Sequence, residues 1–246
     1  MSRFTIYTAA EKPELLTRIN TLAKNSFPRF IFDGEVVFKE QSDSFLEHYP
    51  ECQFALFDGE EMVSGGVTVP LSWNGSMEDL PETTDDFIPF QYQSPNVLCA
   101  LAGLVADNHR GRGISRDVLL AMKRIGQEKG FSSLIAPVRP NHKERYPLLS
   151  LDDYIHWKRE DGAPYDPWIR VHWRLKAPML KIMPKAAVVR GTIREWEDWT
   201  GMRFLSSGPY VVPGALVPVE MDLEKNEGVY LEPNIWMEHQ IEPYDE

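Results

Sequence analysis

Apolar residues recur along this chain with two periods. Phe4, Ile6 and Thr8 alternate with polar neighbours, which predicts a short first strand. Leu15, Leu16, Ile19, Leu22 and Ala23 repeat at helical spacing behind Pro13 and predict an amphipathic helix to about Lys24. Gln53 to Phe57 and Met62 to Val69 read as antiparallel strands around an Asp58-Gly59 turn. Gly65-Gly66 inside the second predicts a weak point or a bulge. Val97 to Ala106 is almost continuously apolar, the pattern of a strand buried on both faces. Ile114, Val118, Met122 and Ile125 follow at helical spacing up to the stop at Gly130, and Ser133 to Val138 predicts the next strand. A helical crossover between two strands makes them parallel.

The remaining pattern is less regular. Trp73 to Pro95 is a long acidic loop, expected to be a solvated surface, with a lid over a ligand site as the alternative. Arg139 to Tyr165 is polar and aromatic and reads as an insertion able to cap a pocket. Asp166-Pro167 carries an N-cap followed by an N1 proline, so a helix runs from there to Leu175. Met179 to Met183 and Ala186 to Val189 predict short strands, and Arg194 to Thr200 a small helix ended by Gly201. The prolines of the final stretch restrict its strands to edges or irregular pairing around an Asn226-Glu227-Gly228 turn. The fold class is α/β, with a mixed antiparallel and parallel sheet flanked by helices.

Composition narrows the partners. The 246 residues carry 26 basic and 37 acidic side chains, a net charge of −11. That balance argues against nucleic acid, whose binding depends on neutralising phosphates. It favours a neutral or cationic small ligand, or serves only solubility. Cys52 and Cys99 are the only cysteines and show no metal-binding spacing, so a reducing cytoplasm without a structural metal is expected. Met1 to Tyr7 does not read as a signal peptide, and no apolar run reaches the ~18 residues of a membrane span. A homodimer is left open.

The stretch from Leu98 to Lys129 concentrates the chemistry. Strand, glycine loop and helix follow one another, with Arg110-Gly111-Arg112-Gly113-Ile114-Ser115 at the junction and Arg116 just beyond. Glycines let backbone turn tightly, and the first N–H groups of a helix point at whatever occupies the loop. Plain connection chemistry, with Ser115 as an N-cap, is the competing account. The stretch resembles motif A of the GCN5-related N-acetyltransferase (GNAT) superfamily, an Arg/Gln-x-x-Gly-x-Gly/Ala pattern after a strand ending in Val-x-Pro. Val105, Arg110 and Gly113 fall in register; Asp107 replaces the proline and Ser115 the last Gly/Ala.

The resemblance implies acetyl-CoA or another acyl-CoA as co-substrate and a small-molecule amine as acceptor. It implies that the two parallel strands splay, that backbone groups of Gly103, Leu104 and Val105 pair with the pantetheine arm, and that the loop from Gly111 to Arg116 holds the pyrophosphate. It covers roughly residues 1–183, taken as the acyl-CoA-binding core; 184–246 is an extension packed on the same domain. Phe30 and Phe32 are candidates to line the acceptor pocket. In the family's closing helix His172 takes the place of a tyrosine, which makes it the first candidate for the acid that protonates the leaving thiolate, with Tyr146 second; a histidine buried by the helix against the sheet, hydrogen-bonded and inert, is the competing account. No base is evident. The family's strand glutamate position is Cys99 here, a core residue rather than a nucleophile, and Glu35, Asp152 and His142 are unranked relays. An acyl-CoA-binding or interaction module without catalysis is the alternative. A dinucleotide fold is disfavoured, because Arg116 stands where a third glycine belongs. An aromatic partner-binding surface in the C-terminal third is also open.

Overall fold

The computed structural model describes residues 3–34, 47–87 and 94–242. In chain order the elements are β1 (Thr5–Thr8), α1 (Leu15–Ser26), α2 (Arg29–Asp33), β2 (Phe54–Asp58), β3 (Glu61–Leu71), β4 (Val97–Val105), α3 (Ile114–Glu128) and β5 (Ser133–Val138). There follow α4 (Leu151–Ile155), α5 (Pro167–Arg174), β6 (Met179–Gly191), α6 (Ile193–Thr200), β7 (Gly208–Tyr210), β8 (Val219–Asp222) and β9 (Glu227–Gln240). All the strands join one sheet in the order β1-β2-β3-β4-β5-β9-β8-β7, with β6 on the other edge of β9. Among the described strands only β4 and β5 pair in parallel; the other ladders are antiparallel.

Side-chain parity sorts the two faces. Phe54, Leu56, Leu98 and Ala100 join the α3 face with Val118, Leu119 and Met122. Ala55, Phe57 and Leu104 join Leu15 and Ile19 of α1 on the other. Each such buried side chain contributes roughly 1.5–3 kcal/mol of transfer energy. Strand β4 changes parity midway. Thr68 faces Ala100 but Val67 faces Ala102, so Leu101 is an extra residue, a bulge. The bulge turns Gly103 toward Val118 and Trp168, and Leu104 toward α1. At the expected weak point in β3, Gly66 instead marks close packing: a Cβ there would run into the Phe54 ring.

The bulge sits where β4 and β5 part. They pair only at Val97–Ser133, Leu98–Leu134 and Cys99–Ile135. Beyond that, β5 stays with β9 through Val138–Ile235, while β4 stays with β3 through Val105–Ser64. The sheet therefore opens between Ala100 and Ala136.

One expectation changes and one is refined. The two short strands after Met179 are one bulged strand, β6, because its pairing with β9 resumes after each register shift, and residue 183 falls inside it. In the segment after Trp73 a few apolar side chains are anchored while Glu78, Asp79, Glu82 and Asp86 stay exposed, in keeping with a solvated surface; residues 88–93 lie outside the described ones. Trp73, Leu80 and Phe87 are buried, and the Trp236 indole donates to the Pro81 carbonyl at 3.0 Å. No helix among the described residues is long and apolar enough to cross a membrane.

Candidate active site

The loop ahead of α3 takes the conformation that its glycines allow. Gly111 (φ 79°) and Gly113 (φ 80°) are left-handed, and a Cβ on either would meet open space, so conformation rather than crowding calls for glycine. The Arg116 N–H already bonds the Gly113 carbonyl at 3.0 Å. Among the described residues, the N–H groups of Gly111, Arg112, Gly113, Ile114 and Ser115 have no backbone acceptor. These adjacent donors at the positive end of a helix make an anion cradle.

The loop is braced from behind. His109 is buried, 2.8 Å from Glu61 Oε1, and Arg112 Nη1 lies 3.5 Å from its Nδ1. Arginine only donates, so Nδ1 accepts and Nε2–H is directed at Glu61. Hydrogen bonds from His109 and Asn108 hold the Glu61 carboxyl below its ordinary range. Arg110 pairs with Asp107 at 2.8 Å.

A cleft of about 920 Å³ runs from this loop through the opening in the sheet. Gly103, Leu104, Val105, Arg110, Gly111, Gly113, Ile114 and Ser115 all line it; Arg112 and Arg116 do not. Its walls are Ala100–Val105 of β4 on one side and Ala136–Val138 of β5 on the other. Phe32 lines the cleft as well, whereas Phe30 is core, 5.3 Å from Trp196 and 5.4 Å from Tyr230 between ring centroids.

Helix α5 brings His172 to the cleft. Asp166 starts the helix by accepting from Trp168 N at 2.9 Å and Ile169 N at 3.1 Å. His172 is 1% exposed, and its Nδ1 sits 2.9 Å from Nε2 of His239 on β9. His172 Nε2 and His239 Nδ1 are both buried without a hydrogen-bond partner. Burial, then the neighbouring His239, holds the His172 imidazole well below its ordinary pKa. The ring is therefore neutral at physiological pH.

No family model matches the chain. It is similar to the arginine N-acetyltransferase avaD of Aspergillus versicolor, 31% identical over 207 residues, covering 74% of this chain and 71% of that one. The chain belongs to the GNAT superfamily. Among solved structures, the loading GNATL domain of CurA from Lyngbya majuscula matches at a TM-score of 0.64 and 17% identity, covering 97% of this chain and 98% of that chain. The GphF GNAT-like decarboxylase in complex with isobutyryl-CoA matches at 0.60 and 12%, covering 97% and 100%. Those two attest to a shared fold.

Within this GNAT chain, other expected residues fall outside the cleft. Tyr146 packs against Tyr154, Trp157 and Tyr165, and its hydroxyl is 3.0 Å from that of Tyr165; the hydrogen bond, then burial, pushes its pKa up. Asp152 is on the surface, 4.0 Å from His156. Glu35 lies outside the described residues. Cys99 is buried in the sheet, and burial pushes its thiol pKa up, the wrong direction for a nucleophile. His142 does line the cleft.

Several cleft residues escaped the sequence reading. Arg170 and Arg174, one turn apart on α5, line it. Burial, then Arg159 and Arg174, lowers the Arg170 pKa, the mark of crowded positive charge. From the C-terminal stretch come Glu232 and Asn234 of β9, together with Arg139 just past β5. The one sequence signal was a carboxylate and an amide two residues apart on a strand, where side chains share a face.

Proposed function

We propose that this protein is an acyl-CoA-dependent N-acyltransferase that moves an acyl group, most simply acetyl, to the amine of a small molecule. The observation that carries the reading is the run of acceptor-free N–H groups from Gly111 to Ser115 opening into a cleft between splayed strands. A diphosphate satisfies those donors. The open edge of β4 around Gly103 to Val105 offers backbone groups to a pantetheine amide, as an added strand would use them. The similarity to avaD supports an amine acceptor.

Acyl transfer breaks the C–S bond and forms a C–N bond. The amine attacks the thioester carbonyl, the oxyanion is stabilised by N–H donors of β4 near Leu104, and the departing sulfur gains the proton the nitrogen loses. His172 fits the sulfur side of that exchange. Of its two tautomer pairings with His239, one leaves an unpaired N–H on His239, away from the cleft. The other places it at His172 Nε2, beside the cleft. Each leaves one buried donor unpaired; only the second puts it on a residue that lines the cleft, where a leaving sulfur can accept from it, and that is the pairing the reading uses. Being neutral, the imidazole donates a hydrogen bond to the leaving sulfur rather than acting as a cationic acid.

Incubation with acetyl-CoA and a panel of amines, following free thiol, tests the activity. Calorimetry with CoA tests the cradle. Wild-type protein should bind CoA at micromolar strength. Gly113→Glu, which strains the loop and sets a carboxylate beside the diphosphate, should abolish binding. Absence of CoA binding by wild type sinks the reading; binding without thiol release with any amine would favour a non-catalytic module.

A further inference from the structure

On β9 the cleft is lined by two side chains, Glu232 and Asn234, each with one acceptor oxygen that has no hydrogen-bond partner among the described residues. Glu232 is 4% exposed. Its Oε2 accepts from Arg139 Nε at 2.9 Å and from the Tyr230 hydroxyl at 2.9 Å. Those donors are themselves fixed: Arg139 Nη2 donates to the Gly214 carbonyl at 2.7 Å, and the Tyr230 oxygen accepts from Leu216 N at 2.8 Å. Glu232 Oε1 has no partner among the described residues. Two residues on, Asn234 is 8% exposed, and its Nδ2 donates to the Pro137 carbonyl at 3.2 Å. That carbonyl can only accept, so the amide cannot be flipped, and Oδ1 is left buried without a donor.

Both residues sit on the part of β9 between its pairings with β8, which end at Val229, and with β5, which begin at Ile235. The gap lets their side chains meet the cleft. A carboxylate oxygen without a partner on a residue lining the cleft and a buried, unpaired amide oxygen two residues on call for a ligand rich in N–H donors. The excess of 37 acidic over 26 basic side chains attracts such a ligand when it is a cation.

We propose that Glu232 and Asn234 form a clasp for the guanidinium of a cationic acceptor, whose forked N–H donors match two acceptors on one strand face, with Arg139 and Tyr230 holding the Glu232 carboxylate in place. The proposal deepens the N-acyltransferase reading and rests on it. The clasp selects a guanidinium over a neutral group of the same shape.

The test compares arginine with citrulline, in which a neutral ureido group replaces the guanidinium. Binding of each is measured by calorimetry without acyl-CoA, and transfer by thiol release. Wild type should prefer arginine by ~10–100-fold in Kd and KM, the worth of a charge-assisted hydrogen bond. Glu232→Gln and Asn234→Leu should each lose most of that preference while the KM for acetyl-CoA stays within twofold. If loss of the Arg139 partner prevents Glu232→Gln from folding, Glu232→Asp keeps the charge but draws the carboxylate back, and it should raise the arginine KM. Equal binding of arginine and citrulline by wild type, or unchanged preference in folded variants, overturns the clasp. Selective arginine binding with no thiol release would support the clasp and overturn the transferase reading alone.

Discussion

The His172–His239 pair sits between chemistry and stability. His172→Phe keeps the ring volume and removes both nitrogens. We expect kcat to fall about 100–1,000-fold, the scale of losing one hydrogen-bond donor to developing charge, with acyl-CoA affinity within twofold. Unchanged kcat would take His172 out of the mechanism. The pair also makes stability depend on pH. Burial, then Lys123, pulls His239 from 6.5 to about 4. Below about pH 6.5 the unfolded chain takes up protons that the folded chain refuses, so stability is full above that value and falls as pH drops toward 4. For His239 alone the loss amounts to about 3 kcal/mol. His239→Gln should flatten this acid limb in urea titrations at pH 4 to 7; an equally steep limb would place its origin elsewhere. His172 was legible from its register in the motif-bearing helix. Its partner was not, because helical or strand periodicity says which face a residue takes but not which residue, 67 positions away, stands opposite.

Local signals read best where one short segment carries its own instruction. Asp166-Pro167 announced α5, and Thr192 with Glu195 closes a capping box on α6. What the local signal could not convey is that Asp166 serves two structures at once. Its Oδ1 caps α5, while Oδ2 accepts from His142 N at 2.8 Å and from the buried Tyr154 hydroxyl at 2.9 Å. The cap alone is worth about 1 kcal/mol, and each buried donor left without a partner costs roughly 1–3 kcal/mol more. Asp166→Ala should therefore destabilise by about 3 kcal/mol in urea denaturation and lower kcat by loosening His172. A loss under 1 kcal/mol would mean that water replaces the carboxylate. The β4 bulge was equally hidden. Gly65-Gly66 drew attention to β3, but the extra residue is Leu101 in the partner strand, and only the pairing of Val67 and Thr68 reveals it.

At the scale of the whole molecule, the last third of the chain is not peripheral. Its prolines suggested edge strands, yet β9 lies in the middle of the sheet, with β5 and β8 along one edge and β6 along the other. Pro233 is accommodated because it falls at the register shift between Met183 and Ala187 and in the gap between β5 and β8. Such pairings join residues far apart in sequence, and no local pattern encodes them. The consequence is testable by truncation after Met183. The fragment keeps the whole phosphate loop but loses Ile235, Trp236 and Met237, each 2% exposed or less. At roughly 1.5–3 kcal/mol per side chain, those residues alone approach the 5–15 kcal/mol of a typical domain's stability. It also bares the inner edge of β5, an invitation to aggregation. The fragment should show no cooperative thermal transition and no CoA binding, although every residue of the cradle is present. A fragment that melts cooperatively and binds CoA would show that the splayed strands hold their geometry without β9, and that residues 184–246 serve only the acceptor end.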